Sequence, residues 1–161
     1  MNEYRSYNVQ DFDKDNCLKI SKIFYITLIF VLRGYLVWLM SVTNMRDRVV
    51  IIEWIYPETS LFFISLISGA AGLFVVAILL LRRPNAAIWV KKLWPYCRLL
   101  LISALFFDLL INAVAYFYWQ YLSLSWLIIQ TVIVISLTLL CFKSKKLTLN
   151  LKEFPEQLAD K

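Results

Sequence analysis

Residues 61–81 read LFFISLISGAAGLFVVAILLL, a run without a charged side chain. An α-helix rises about 1.5 Å per residue, so the run is long enough to cross about 30 Å of hydrocarbon. Three further apolar stretches of similar length lie at 23–42, 99–119 and 122–142. Each run is continuously apolar, whereas a membrane β-strand alternates over about ten residues, so helices are expected. The spacing predicts an all-α, polytopic membrane protein with four transmembrane helices in a bundle. It forms one membrane domain over 1–161, with tails at 1–22 and 143–161.

Composition agrees. Hydrophobic residues make up 61% of the 161-residue chain and charged residues 17%. A soluble domain of about 150 residues buries only about 68–70% of the surface its unfolded chain exposes, too little to hide this much apolar surface. Disorder needs low hydrophobicity and is excluded too. The chain has no His, which removes His-based catalysis and His metal sites. A cleaved signal peptide is not expected, because the polar tail at 1–22 precedes an apolar run too long for an h-region.

Lys and Arg outside the spans set the orientation. One side would hold Arg5, Lys14, Lys19 and Lys22, then Arg82, Arg83, Lys91, Lys92 and Arg98, then Lys143, Lys145, Lys146, Lys152 and Lys161. The other side would hold only Arg46 and Arg48. Both termini should therefore be cytoplasmic, in a bacterial inner membrane. The net charge of +6 then calls for anionic lipid head groups rather than nucleic acid. Cys17, Cys97 and Cys141 map to the cytoplasmic side, where thiols stay reduced, which excludes a thiol oxidoreductase working on the far side.

Interfacial features fall between the spans. Tyr116, Phe117, Tyr118, Trp119, Tyr121 and Trp126 flank a tight turn between the third and fourth spans, where aromatic belts form. Around 88–93, two readings are open. One is an in-plane helix started by Pro84, with Ile88, Trp89 and Leu93 on one face and Lys91 and Lys92 toward water. The other is an irregular loop. Residues 49–57 are apolar but too short to span, and Pro57 should delay the second span. Residues 147–151 alternate like a short strand, with a loose tail the simpler expectation.

Two charges lie inside the spans, Arg33 and Asp108. A charge at mid-bilayer costs about 2.5–3.5 kcal/mol on insertion scales, so a partner is expected. Arg33 is ten residues into its span and Asp108 nine residues into its own, both counted from the cytoplasmic side, which puts them about 15 and 13.5 Å deep. Their depths match and their charges are opposite. Asn112 shares a face with Asp108 at a spacing of four, in a stripe with Ala104 and Tyr116, and Gln130 returns to the same depth. The four polar residues form an intramembrane cluster. It either fixes helix register or forms a substrate, ion or proton site.

Ser65, Ser68, Gly69 and Gly72 form small-xxx-small pairs, which let helix backbones approach. Packing within the chain and homodimerisation both use such a face. Arg82-Arg83-Pro84 and the Lys143–Lys146 group read as topology anchors. No phosphate-binding loop, metal-ligand cluster or serine-hydrolase motif occurs, so no catalytic residue, metal or cofactor is assigned.

Asp11-Phe12-Asp13-x-x-x-x-Leu18-Lys19, the first span interrupted by Arg33, Tyr56-Pro57 before the second span and Arg82-Arg83 after it carry a resemblance. The chain resembles the YfeZ-like inner-membrane proteins of gammaproteobacteria, small four-helix proteins of unknown function, over the stretch 1–85. A turn glycine near Asn16-Cys17 is missing here. The resemblance implies an inner-membrane location and four spans, and supplies no catalytic residues. The expected role is non-enzymatic: an accessory or interaction protein, with a homodimer or membrane-complex partner. The alternative is a small transporter or permease subunit with a mid-membrane Arg/Asp site.

Overall fold

In a computed structural model of the protein, residues 7, 9–13, 17–44, 50–56, 58–118 and 122–155 are described. Arg5, Lys14, Asn16, Arg46, Arg48, Pro57, Trp119, Tyr121 and Lys161, used above, lie outside them. The described residues are helical apart from connecting turns and one isolated antiparallel bridge, Phe12 to Leu18. Eight α-helices are formed among them. They are α1 (Lys22–Val31), α2 (Arg33–Thr43), α3 (Val50–Ile55), α4 (Thr59–Leu80), α5 (Ile88–Leu93), α6 (Cys97–Phe117), α7 (Leu124–Lys143) and α8 (Lys145–Lys152).

Three helical segments are long and apolar enough to cross a membrane: α4, the continuous run Ile88–Phe117 that contains α6, and α7. Their outward faces are as apolar as their inward ones. On α7, Ile128, Ile129, Val132, Ile135, Leu139 and Leu140 are all exposed. A helix that is hydrophobic all round belongs in a hydrophobic surrounding.

The stretch at 23–42 departs from the expected single helix. It breaks at Leu32 into α1 and α2, bent by 66°. Leu32 sits at φ −84° and ψ 4°, the sparsely populated bridge region between helix and strand. The turn closes without Pro, because the Leu32 amide still bonds the Leu28 carbonyl and the Leu36 amide bonds the Leu32 carbonyl. Sharp kinks need a local cause. Here Gly34 lies so close to α4 that a Cβ would stand 2.6 Å from the Ser65 hydroxyl.

α4 packs along α6 and α6 along α7, while α1 lies against all three and α2 against α3 and α4. The core collects at the end where α1 and α6 begin and α4 and α7 finish. Phe24, Ile78, Trp94, Leu101, Leu105 and Val134 are buried there.

That end is closed by a cap, which corrects the expectation of a loose tail at 147–151. Residues 145–152 form a helix rather than a strand or free chain, with Leu147, Leu149, Asn150 and Leu151 buried. Ser144 caps it by accepting from the Leu147 amide. The N-terminal segment lies across it. The Ser21 amide donates to Asn150 Oδ1 at 2.9 Å, and Asn150 Nδ2 donates to the carbonyls of Leu18 and Lys19 at 2.8 and 3.2 Å. Trp94 Nε1 donates to the Asn150 carbonyl at 2.9 Å, and the Leu18 amide to Glu153 Oε2 at 2.8 Å. Lys146 pairs with Asp11 at 3.0 Å. The strand reading failed because the two-residue alternation of Leu147, Leu149 and Leu151 arises on a short helix covered on several sides.

Residues 88–93 form a helix rather than an irregular loop. α5 begins at Ile88, four residues after Pro84, and turns Val90 inward while Ile88 and Trp89 stay exposed. Trp94 is the buried anchor, with the Arg82 guanidinium 4.5 Å over its ring.

Candidate functional site

The break at Leu32 starts a new helix at Arg33 and aims its side chain at α6. Arg33 Nη2 donates to Asp108 Oδ1 at 2.9 Å and to Oδ2 at 2.8 Å. The Arg33 and Asp108 side chains are 24% and 9% exposed. Arg33 also lies 4.7 Å over the Phe30 ring, a cation–π contact within its own bent segment.

Asp108 has further donors. Gln130 of α7 donates Nε2 to Oδ2 at 2.6 Å. Asn112 donates to the Asp108 main-chain carbonyl at 2.7 Å, with Oδ2 3.5 Å from the same nitrogen. The four polar residues singled out by depth and spacing thus meet at one point, supplied by α2, α6 and α7. Ala104, one turn before Asp108, is buried. A buried carboxylate needs such donors, since each unsatisfied polar group costs about 1–3 kcal/mol or more.

The small residues of α4 face the bent segment. A Cβ on Gly69 would meet the Tyr35 ring at 2.9 Å and the Val31 carbonyl at 3.1 Å, and one on Gly72 would meet the Val31 side chain at 2.9 Å. Ser65 and Ser68 are buried on the same helix. This face is occupied inside the chain.

Beside the pair lies a cavity of ≈ 100 Å³ between α3, the start of α4, the second half of α6 and the start of α7. Arg33, Asp108, Asn112, Ser65 and Tyr56 give it polar groups; Ile55, Leu61, Ile111, Leu122 and Trp126 give it apolar walls. It lies on the side of the pair away from the cap. The Tyr56 and Ser65 hydroxyls are 2.8 Å apart. Gly34, Tyr56 and Trp126 were not singled out as site residues. Gly34 carried a signal, being one of three glycines in the chain and adjacent to Arg33. Tyr56 carried none, because its pairing with Ser65 depends on the turn into α4.

Among the described residues no group of three or more Cys, Asp or Glu side chains is placed to hold a metal ion. Cys17, Cys97 and Cys141 are buried and none of them forms a disulfide. The Cys141 sulfur is 3.4 Å from the Thr27 hydroxyl, on the cap side of the pair.

The family described as "Protein of unknown function (DUF2919)" matches residues 7–153. The chain belongs to this family. The family's extent takes in the whole path from the N-terminal cap segment, through the Arg33–Asp108 pair, to Glu153, whose carboxylate closes the cap on Leu18. No curated protein and no solved structure matches the chain.

Proposed function

We propose that this DUF2919 protein is a multi-pass protein of the bacterial inner membrane, close to the YfeZ-like group. The bent pair α1–α2 makes a fourth span, the spans form a bundle, and both termini are cytoplasmic. Its role is non-enzymatic, as an accessory or interaction protein that works without cofactor or metal and meets anionic lipid head groups on its cytoplasmic side. One observation carries this reading. The polar groups at depth bond to one another: Arg33, Asp108, Asn112 and Gln130 join α2, α6 and α7 in a fixed register. A buried polar contact of this kind serves specificity more than stability, since interhelical polar contacts in membranes average about 0.6 kcal/mol. The small face of α4 serves packing within the chain, which leaves the lipid-facing apolar surfaces for a homodimer or membrane-complex partner.

The test is native electrophoresis of the tagged full chain after mild detergent extraction. An accessory protein migrates in an assembly larger than itself. A chain that migrates alone under every gentle extraction overturns the interaction role.

The cavity beside Arg33 and Asp108 supports a second reading, a small transporter or permease subunit. Irregular backbone at membrane depth is tolerated where it borders a cavity or is buried in protein, and broken helices are common at transport sites. Replacing the pair by apolar residues separates the two. An interaction protein keeps its assembly, whereas a transport subunit stays folded and loses solute uptake.

A further inference from the structure

The cavity beside the ion pair selects the charge of what it can hold. Its floor is Arg33 bonded to Asp108, so the floor carries no net charge. A ligand with net charge would add an uncompensated ion next to Leu61, Ile111 and Trp126, which is costly in a poorly solvated site. A ligand of zero net charge with separated poles avoids that cost.

The geometry leaves both poles something to bind. Arg33 approaches Asp108 through a single nitrogen, Nη2, which serves both carboxylate oxygens. A fork-to-fork pair would engage two nitrogens. Nη1 makes one long contact, 3.4 Å to the Phe30 carbonyl. The guanidinium therefore keeps donor capacity. On Asp108, Oδ2 receives Gln130, while among the described residues Oδ1 receives Arg33 alone and keeps acceptor capacity. The contact between the Tyr56 and Ser65 hydroxyls uses one of their two hydrogens and leaves the other to donate. Donors and an acceptor thus meet in one cavity. Its ≈ 100 Å³ compares with about 150 Å³ for an engineered cavity that takes the six carbons of benzene, so it encloses roughly four heavy atoms, and its open side admits one or two more.

We propose that this cavity binds a small zwitterion the size of the simplest amino acids. The ligand carboxylate sits on Arg33 and the Tyr56–Ser65 hydroxyls, and its ammonium on Asp108 Oδ1. The proposal rests on the membrane reading and serves either role above. That reading fails separately, if alkaline carbonate washing releases the chain from membranes.

The experiment uses the full chain in phosphatidylglycerol nanodiscs, with thermal unfolding as readout and free glycine, free alanine, propionate and ethylamine as probes. The zwitterions should raise the unfolding temperature saturably, and the two half-ligands should not at equal concentration. Asp108→Asn keeps a side-chain oxygen for Gln130 and leaves Arg33 uncompensated. It should shift the preference to propionate by about tenfold or more, equivalent to about 1.4 kcal/mol. Ile111→Trp fills the cavity while keeping both residues of the pair, and should abolish every response. A phosphatidylethanolamine head group carries the same two charges. Loss of the glycine response in discs containing that lipid would assign the zwitterion site to the head group; an unchanged response assigns it to the free solute. A folded wild-type chain that ignores both amino acids, responds equally to propionate, or responds undiminished as Ile111→Trp overturns the proposal.

Discussion

Asn150 Oδ1 accepts the Ser21 amide at 2.9 Å, and the same side chain returns two hydrogen bonds to the carbonyls of Leu18 and Lys19. One amide side chain thereby replaces a short stretch of sheet edge between segments 129 residues apart. Its own main-chain carbonyl takes Trp94, so α8, the N-terminal segment and the turn into α6 converge on it.

Asn150→Leu should therefore be among the most destabilising substitutions outside the apolar spans. It leaves the Ser21 amide and the Leu18 carbonyl without their partner, at about 1–3 kcal/mol each. Thermal unfolding in detergent measures the loss, and protease should gain access to residues around Glu153. Asn150→Asp keeps the acceptor for Ser21 but loses both donors, so it should fall between wild type and Leu. A wild-type profile for Asn150→Leu would show that the cap adds nothing to the fold.

Gly34→Ala tests the close approach at the bend. The new Cβ would lie 2.6 Å from Ser65 Oγ, so Ser65 must move and its contact with Tyr56 is strained. Overpacking of this kind costs about 1–3 kcal/mol. Adding Ser65→Gly removes the clashing oxygen and should recover part of that loss, although it also forfeits the hydroxyl that meets Tyr56. Gly69→Leu and Gly72→Leu should likewise lower yield and unfolding temperature. If they leave the fold intact and remove a cross-linked dimer instead, the small face of α4 meets a second copy.

The pair was legible in the sequence because depth along a helix is arithmetic. A rise of about 1.5 Å per residue puts Arg33 and Asp108 at one level, and a spacing of four puts Asn112 beside Asp108. The hydrogen bonds of 2.6–2.9 Å among Arg33, Asp108 and Gln130 agree with that level. The bend at Leu32 was not legible, since hydropathy is indifferent to backbone direction and no Pro marks the break. The close fit of Gly34 against Ser65 that accompanies it is a tertiary contact. The cap was hidden for a related reason. Lys145, Lys146 and Lys152 give residues 145–152 the look of a solvated tail, and the burial of Asn150 depends on a segment more than a hundred residues away.

Reporter fusions test the orientation. Alkaline phosphatase at either terminus should be inactive and a fluorescent protein there should fold, while phosphatase inserted after Asn44, the residue that follows α2, should be active. The fourteen Lys and Arg assigned to the cytoplasmic side predict this outcome. A cytoplasmic signal after Asn44 would mean that α1 and α2 form a re-entrant loop rather than a span, and would leave three crossings.

The ion pair gives the sharpest test, because its two halves fail differently from the whole. Arg33→Ala strands Asp108 with only Gln130 and Asn112, and Asp108→Ala strands Arg33 beside the cavity. Breaking one side of a buried pair costs about 3–5 kcal/mol, chiefly from the charge left behind. Each single variant should therefore unfold at a lower temperature than the double variant Arg33→Met/Asp108→Leu, whose apolar groups leave no charge at depth. The loss should be smaller for Arg33→Ala, since the amides of Gln130 and Asn112 still donate toward Asp108. Asp108→Ala has no such reserve, because the remaining described contacts of Arg33 are the Phe30 carbonyl and ring. The swap Arg33→Asp/Asp108→Arg restores charge balance but places an arginine beside the Gln130 amide donor, so its recovery should be partial. A double-mutant coupling near zero would show that the two side chains do not interact in the folded protein.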